Sequence, residues 1–190
     1  MKKKFLVYNT GRPEKNVPHL FNEGLLCPDF IVTSTGSELY CYNEKTEQYE
    51  LDENWMKIIY EEWDPDQIIL EFEKLNYLKK YDQTTRICFL ALVEDIEKNQ
   101  AEILDRKTQF EKKTGLKSQL LIYGRGPKRF VEILSKNAGK GKVIEYLCKI
   151  NDVKKENTLG FGDSLNDAEI DVGGMMWKSF YGRQFTRWFA

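Results

Sequence analysis

Short apolar runs alternate with amphipathic stretches at the two ends of the chain. Residues 5–8 and 30–32 are apolar runs that end at turn-forming residues, and residues 17–26 have the spacing of a short helix. Near the other end, residues 140–150 have helical spacing and residues 158–161 form another apolar run. Short apolar runs bounded by turn residues predict buried strands, whereas a 3.6-residue period predicts helices. Both ends therefore predict an α/β fold with a parallel sheet.

The middle of the chain, residues 43–119, has a different pattern. Residues 52–60 begin with a capping residue and have helical apolar spacing, and residues 86–93 predict an apolar strand. Residues 94–115 predict a long charged helix whose buried stripe includes Leu104. A self-contained α+β unit inside an alternating pattern predicts an insertion into the core.

Three further strands are predicted, at residues 38–42, 119–123 and 129–134. We assign the last two to the core, because we place the end of the insertion at residue 119. We therefore expect the core to consist of two parts, residues 1–42 and residues 120–170. The inserted cap would lie between them at residues 43–119, and an atypical tail would follow at residues 171–190.

Composition and charge narrow the class of protein. The chain has 190 residues, of which 29 are Lys or Arg and 30 are Asp or Glu, so its formal net charge is −1. This balance argues against binding of nucleic acid through phosphate neutralisation, and no apolar run approaches the roughly 20 residues that span a bilayer. The four cysteines form no C-x-x-C pair, which favours a reduced, cytoplasmic protein. We expect neither nucleic acid nor a membrane as partner, and the oligomeric state stays open.

Three polar clusters lie where ligands bind in open α/β sheets, after a predicted strand or at the start of a predicted helix. The first is Asn9-Thr10-Gly11-Arg12. A hydroxyl group and free backbone N–H groups beside a glycine can hold a phosphate oxygen. A tight turn between a strand and a helix is the alternative, and this cluster alone is weak support for phosphate binding.

The second cluster, Gly139-Lys140-Gly141, begins the helix at residues 140–150. Lys140 adds a full positive charge to the dipole and the exposed amides of the helix N-terminus, which suits a phosphate group. A surface lysine in a turn is the alternative, and it is favoured when this cluster is taken alone.

The third cluster is Gly-Asp-Ser-Leu-Asn-Asp at residues 162–167. It places two carboxylates, Asp163 and Asp167, after a predicted buried strand. Mg²⁺ prefers oxygen ligands, and it commonly takes one or two carboxylates, several waters and a substrate phosphate. A polar turn before a helix is the alternative for either aspartate alone, but it explains the whole hexapeptide less well.

Taken together and in this order, the three clusters resemble the second, third and fourth motifs of the haloacid-dehalogenase-like phosphatases with a large inserted cap. The resemblance covers residues 5–170 and is nearest to the sucrose-6-phosphate phosphatase branch, which Pro28-Asp29, residues 34–39, Trp55 and Trp63-Asp64 also resemble. It implies a three-layer α/β core with a parallel sheet and an inserted α+β cap. It also implies an Mg²⁺-dependent phosphatase that hydrolyses a sugar phosphate, foremost sucrose 6-phosphate, through an aspartyl-phosphate.

The resemblance implies a role for each residue of the second and third motifs. Thr10 would hydrogen-bond the transferring phosphoryl group, and Gly11 and Arg12 would add phosphate-binding groups from the same turn. Lys140 would stabilise charge on the phosphoryl oxygens and on the nucleophile. Phosphoryl transfer depends mainly on positioning and electrostatics, so these groups would supply much of the catalysis.

In the fourth motif, the resemblance implies that Asp163 ligates Mg²⁺. Asn166 and Asp167 would orient the lysine, the metal-bound waters or the phosphate. On this basis Asn166 is a candidate phosphate-binding residue and Asp167 a candidate catalytic residue.

Choice of the sugar would belong to the cap. Gln83 and Arg86 lie near the place where the sucrose-phosphatase branch has a glutamine and a lysine that help to hold the sugar, although an exposed strand end explains them equally well. Trp55 and Trp63 could stack on a sugar ring, but the core of the cap is the favoured place for both.

The sequence departs from the family in its first motif, D-x-D-x-[TV], which carries the aspartate nucleophile. The chain contains no such motif, and its one D-x-D, Asp64-Pro65-Asp66, lacks a preceding apolar strand and is predicted to be a turn. The tail at residues 171–190 also departs, since it is aromatic and basic with no clear period. A segment that binds nucleic acid or a membrane is one explanation of the tail. An altered reading frame is favoured, and we expect a fragment or altered product of a longer phosphatase.

Two alternative functions remain open. The chain could be a non-catalytic binding or regulatory domain, such as the phosphatase-like domain of sucrose-phosphate synthases. The missing first motif favours this alternative. The chemistry could also act on a different substrate, for instance mannosyl-3-phosphoglycerate or another phosphosugar.

Overall fold

The computed structural model describes residues 4–17, 24–80, 88–124, 128–162 and 176–179. The strands in these ranges are β1 (Val7–Asn9), β2 (Phe30–Thr33), β3 (Glu38–Asn43), β4 (Gln48–Leu51), β5 (Lys79–Lys80), β6 (Cys88–Val93), β7 (Ser118–Tyr123), β8 (Arg129–Ser135), β9 (Leu159–Gly162) and β10 (Met176–Ser179). The α-helices are α1 (Glu53–Tyr60), α2 (Pro65–Phe72), α3 (Ile96–Thr114) and α4 (Lys140–Ile150). Short 3₁₀ turns lie at Glu14–Asn16, Ser34–Gly36 and Lys155–Asn157.

The first sheet has the strand order β1-β2-β3-β4. β1 and β2 are parallel, and β3 and β4 continue the sheet in antiparallel fashion. Val32 of β2 pairs with Leu39 of β3, and both side chains are completely buried. The three strands predicted from the N-terminal pattern are thus confirmed, whereas the helix predicted at residues 17–26 falls mostly outside the described residues.

The second sheet is antiparallel and has the order β5-β6-β8-β7. β8 lies in its interior and pairs with both β6 and β7. The domain boundary expected at residue 119 would therefore separate β6 from β7 and β8, although all three belong to one continuous sheet. The sequence could not show this, because apolar periodicity identifies a strand but not the neighbour with which it pairs. The division into domains stays a prediction. The two sheets favour an insertion that begins after Leu51, the end of β4, and ends near Ser135, the end of β8.

Aspartates cap three of the four described helices, namely α1, α2 and α3. Asp52 accepts a hydrogen bond from the Trp55 backbone N–H at 2.8 Å before α1, and Asp64 accepts one from the Asp66 N–H at 3.1 Å before α2. These bonds satisfy backbone donors that a helix N-terminus otherwise leaves free. The Asp64-Pro65-Asp66 stretch, predicted as a turn, is therefore the N-cap and the first turn of α2.

The long helix α3 matches the helix predicted at residues 94–115. Gly115 ends it in the left-handed conformation, with φ of 77°, as is common at helix C-termini. Ile103 and Phe110 are buried, but Leu104, which we predicted to be buried, is 44% exposed. Adjacent residues of a helix lie about 100° apart around its axis, so Leu104 falls at the edge of the buried stripe.

β9 and β10 form a separate two-stranded parallel sheet. β9 confirms the strand predicted at residues 158–161, but Leu159 and Phe161 are 52% and 55% exposed. β10 belongs to the atypical tail at residues 171–190, whose sequence has no clear period, and the rest of that segment lies outside the described residues. None of the helices in the described ranges has the length and apolar character needed to cross a bilayer.

Candidate functional site

Residues 10–12 form a turn directly after β1, which we call the Thr10 turn. The Thr10 backbone N–H donates to the carbonyl oxygen of Val32 at 2.9 Å, which fixes it at the carboxyl end of the parallel strands. Its hydroxyl oxygen accepts a hydrogen bond from the Arg12 N–H at 3.1 Å. Thr10 is partly buried, whereas Gly11 and Arg12 are exposed. The turn therefore presents a hydroxyl group and backbone to the space beyond the sheet edge.

The Ser34–Gly36 turn follows β2 and is bonded to the Thr10 turn through its backbone. The Ser34 N–H donates to the Arg12 carbonyl at 2.9 Å, and the Thr35 N–H donates to the Thr10 carbonyl at 3.3 Å. Ser34 and Thr35 have φ of 49° and 56°. This left-handed conformation is uncommon for residues other than glycine, costs on the order of 1–3 kcal/mol per residue, and concentrates at functional sites.

Gly36 brings this turn against the start of α4. A Cβ atom on Gly36 would lie 2.4 Å from the carbonyl carbon and oxygen of Gly139, and the φ of Gly36 is +86°. Both facts require glycine at this position. The Trp55 indole N–H donates to the Gly36 carbonyl at 3.2 Å and holds the turn from the other side.

Lys140 is the first residue of α4 and is only 5% exposed. The side-chain amide of Asn9 donates to the Lys140 carbonyl at 3.0 Å, which ties the start of α4 to the end of β1. Because Asn9 precedes Thr10, the structure brings the first and second polar clusters of the sequence to one edge of the first sheet. The burial of Lys140 also argues against the alternative of an exposed surface lysine.

Glu132 is a further polar residue of this region, which the sequence analysis missed. It lies on β8, is 2% exposed, and both of its carboxyl oxygens accept from the Thr35 hydroxyl at 3.0 Å. Burial raises the pKa of Glu132 to about 7, while the Thr35 hydrogen bond, the Lys140 charge and a hydrogen bond with Tyr123 oppose that rise. A signal was present in the sequence, since a glutamate interrupts the apolar run at residues 130–134.

Two tryptophans proposed as alternatives for sugar stacking lie in the interior. Trp55 and Trp63 are 2% and 4% exposed, and both belong to the main hydrophobic cluster. Trp55 also packs on Tyr146, with ring centroids 5.1 Å apart. These positions agree with the favoured prediction, that both residues belong to the core.

The remaining predicted site residues, Asp163, Asn166 and Asp167, lie outside the described residues, as do Gln83 and Arg86. Asp163 follows Gly162, the last residue of β9, so the described strand leads directly to the predicted metal ligand. Within the described ranges, no group of three or more His, Cys, Asp or Glu side chains could hold a metal ion. The Mg²⁺ site therefore stays a prediction.

The described part of the site can bind an anion. A buried ammonium at a helix N-terminus adds to the positive end of the helix dipole, where exposed backbone N–H groups also point outward. Low dielectric strengthens the attraction between Lys140 and an anion compared with that of a solvated lysine. A hydroxyl group on the adjacent turn completes a set of donors that suits phosphate.

Comparison with known proteins agrees with this chemistry. The family model described as sucrose-6F-phosphate phosphohydrolase matches residues 1–176. The probable sucrose-phosphatase 1 of Arabidopsis thaliana is 31% identical, over 97% of this chain and 44% of its own length. Sucrose-phosphatase 1 of Nicotiana tabacum is also 31% identical, over 90% of this chain and 40% of its own length.

Solved structures show the same fold. The sucrose-phosphatase of Synechocystis, determined in complex with sucrose and phosphate, has a TM-score of 0.76 at 25% identity, covering 91% of this chain and 68% of that protein. A haloacid-dehalogenase-like hydrolase of Bacillus subtilis has a TM-score of 0.61 at 17% identity, covering 90% of this chain and 65% of that protein.

The fold is therefore that of the haloacid-dehalogenase-like hydrolases, which confirms the predicted fold class. Within that superfamily, the chain belongs to the sucrose-6F-phosphate phosphohydrolase family, as its resemblance to sucrose phosphatases predicted. The chain spans less than half of the length of the curated relatives it matches, 44% for the first Arabidopsis protein.

Proposed function

We propose that this chain carries the phosphate-binding groups of an Mg²⁺-dependent phosphatase that hydrolyses sucrose 6-phosphate to sucrose and phosphate. The observation that carries the proposal is the convergence of the Thr10 turn, the Ser34–Gly36 turn and the buried Lys140 at one edge of the first sheet, beyond its parallel strands β1 and β2. The names of the matched relatives and the sucrose and phosphate in the Synechocystis complex support the choice of substrate.

Thr10 and Lys140 have distinct roles in this proposal. The Thr10 hydroxyl would orient the phosphoryl group, together with the exposed backbone of Gly11 and Arg12. The Lys140 ammonium would stabilise negative charge on the phosphoryl oxygens as the bond to the sugar breaks. Preorganised charges in a water-poor site are effective here, because phosphoryl transfer depends mainly on positioning and electrostatics.

The proposal also includes an Mg²⁺ site and an aspartate nucleophile. Asp163 would ligate Mg²⁺ just beyond β9, with Asn166 and Asp167 beside it; the bound ion would neutralise phosphoryl oxygens. The nucleophile would be an aspartate absent from this chain, since the sequence contains no D-x-D-x-[TV]. Support comes from the strand pairing: within the described residues, β1 and β9 each pair along one edge only, which leaves edges for a further parallel strand.

The test combines phosphate binding with turnover. We expect the chain to bind inorganic phosphate in titration calorimetry, and Lys140→Ala to weaken binding at least tenfold, since hydrogen bonds to charged groups contribute roughly 1.5–3 kcal/mol. Lys142→Ala is the matched control, because Lys142 is exposed two residues further along the same helix. Binding that is unchanged in Lys140→Ala would contradict the proposal.

Turnover tests the metal and the nucleophile. We expect release of phosphate from sucrose 6-phosphate to stay at background for this chain. The chain extended at its N-terminus by a strand that carries D-x-D-x-T should hydrolyse the substrate only with Mg²⁺, and Asp163→Asn should abolish that activity. Metal-independent hydrolysis would overturn the magnesium assignment, and hydrolysis by the unextended chain would show that the nucleophile lies within it.

A second function is favoured by the absence of the D-x-D-x-[TV] motif. In this proposal the chain is a non-catalytic domain that binds sucrose or its phosphate for regulation. Binding of sucrose 6-phosphate without turnover, even in the extended chain, would support it. Preference for another phosphosugar in the same titrations would instead change the substrate and keep the site.

We also propose a cytoplasmic location, with a small sugar phosphate as partner in place of nucleic acid or a membrane. Cys27, Cys41 and Cys148 are free thiols, which is typical of a reducing compartment. The net charge of −1 supports a small-molecule partner over a polyanion.

A further inference from the structure

Glu132 occupies a position in β8 that favours an apolar residue. It is 2% exposed, and its partners across the sheet are Leu90 on β6 and Leu121 on β7. A carboxyl group in such surroundings destabilises the fold unless polar groups hold it, and apolar replacement of buried charged groups often stabilises a protein. The presence of a glutamate here therefore points to a role other than stability.

Thr35 connects Glu132 to the candidate phosphate site. Its hydroxyl lies 3.0 Å from both carboxyl oxygens, although its own φ of 56° is unusual for a β-branched residue. The same residue donates its backbone N–H to the Thr10 carbonyl at 3.3 Å, and the next residue, Gly36, contacts Gly139. The carboxyl group is thus fixed beside the turn that joins the second and third motifs.

Lys140 is the charged neighbour of Glu132. Its ammonium group acts electrostatically on the carboxyl group, and the two residues are 5% and 2% exposed. Solvent and salt screen buried charges weakly, so the charge of each group affects the potential around the other. An ionised Glu132 reduces the positive potential that Lys140 presents to an anion, whereas a protonated Glu132 leaves that potential intact.

We propose that Glu132 is a positioning residue that acts through Lys140: held by Thr35, its carboxyl group limits how tightly the site retains a phosphate anion. This inference rests on the proposed function of the site as a phosphate site. Such a limit matters for the release of product phosphate, because a buried lysine at a helix N-terminus attracts a dianion strongly. Glu132 contacts Thr35 and needs no contact with the substrate.

The proposal leads to a defined dependence on pH. The described charged and titratable groups that act on the Glu132 carboxyl are Lys140 from α4 and Tyr123 from β7. The Thr35 hydroxyl on the turn does not titrate, and the position paired with Glu132 on β6 is a leucine. Because the Glu132 pKa is about 7, its charge appears as the pH rises through neutrality. Anion affinity should therefore be higher below pH 7 and lower above it.

Sulfate is the suitable probe, because it stays a dianion throughout this range whereas phosphate titrates within it. We expect titration calorimetry of the full chain to give a sulfate affinity roughly tenfold lower at about pH 8 than at about pH 6. Glu132→Gln should bind sulfate equally at both pH values and more tightly than the unmodified chain at the higher one. Glu145 also lies on α4, where its carboxylate pairs with Lys155 beyond the helix. The control variant Glu145→Gln should therefore show the same dependence of sulfate affinity on pH as the unmodified chain.

A purely structural role for Glu132 would give a different result. Weaker sulfate binding by folded Glu132→Gln, with the pH dependence of the unmodified chain, would overturn the proposal. If Glu132→Gln does not fold, Thr35→Ala provides the test: it removes a hydrogen bond that lowers the Glu132 pKa, so the fall in affinity should move to higher pH. A fall at unchanged pH would overturn the proposal equally.

Lys140→Ala separates the two proposals. A chain that binds neither sulfate nor phosphate, or binds them equally well without Lys140, contradicts the proposed function and this inference together. Binding that requires Lys140 but keeps its pH dependence in Glu132→Gln contradicts the inference alone.

Discussion

The two sides of the candidate site are held in very different ways. On one side, the Thr10 turn, the Ser34–Gly36 turn and the start of α4 fix one another through backbone contacts. On the other side, β9 leads to Asp163, pairs with β10 alone among the described strands, and leaves Leu159 and Phe161 about half exposed. The groups proposed to bind phosphate are thus preorganised by the fold, whereas the strand that leads to the proposed metal ligand has a partly uncovered apolar face.

This difference indicates where the site is sensitive. Preorganised donors lose little conformational freedom when a ligand binds, because the entropy of ordering them has already been lost during folding. A steric change on the first side should therefore damage folding and phosphate binding together. A half-exposed strand contributes less to stability, because only the apolar area removed from water counts. Changes on β9 should affect stability much less.

The largest effect is expected for Gly36→Ala, which breaks the preorganised side. The new methyl group would lie 2.4 Å from the Gly139 backbone, at a φ of +86°. Overpacking and left-handed strain together cost on the order of 3–5 kcal/mol. Urea denaturation should show this loss, and calorimetry should show loss of phosphate binding in any protein that still folds.

Gly115→Ala is the matched control for Gly36→Ala. Gly115 has a similar φ of +77°, but a Cβ atom there would meet nothing within 4 Å. We expect a loss of about 1 kcal/mol from the left-handed conformation alone, with phosphate binding unchanged. Equal losses in the two variants would show that the contact between Gly36 and Gly139 does not hold the site.

A smaller effect is expected from the titration of Glu132. Its pKa is about 7 in the folded chain, compared with 4.5 for the ordinary group. Between these values the unfolded chain releases a proton that the folded chain retains, so the free energy of unfolding falls as the pH rises, by about 3 kcal/mol in all. Denaturation at a series of pH values should show this decline, and Glu132→Gln should lack it. The same slope in both proteins would assign the decline to other groups.

Much of the preorganised side was predictable from local sequence. Thr10 and Lys140 were found because a strand end and a helix start each have a local signature, and such positions meet in a parallel sheet. The apolar runs likewise predicted most strands of both large sheets. Asp163, Asn166 and Asp167 rest on the same reasoning, and their roles stay predictions.

The features that the sequence did not predict depend on long-range pairing. β7 and β8 have the pattern of buried strands in any sheet, and only the hydrogen bonds of β8 to β6 and of β7 to β8 assign them to the second one. Glu132 was missed because its partner Thr35 lies 97 residues away. Leu104 was misplaced because helical periodicity gives the direction of the buried stripe but not its width.

The smallest effect is expected for Phe161→Ser, which tests the open side. Phe161 is 55% exposed, and complete burial of such a side chain contributes roughly 1.5–3 kcal/mol, so its loss should cost about 1 kcal/mol. Phe110→Ser is the contrast, since Phe110 is 5% exposed on α3, and loss of a buried aromatic ring costs about 3–5 kcal/mol. Urea denaturation of both variants gives the comparison. A loss in Phe161→Ser as large as that in Phe110→Ser would mean that the face of β9 is covered in solution, and the contrast between the two sides of the site would have to be abandoned.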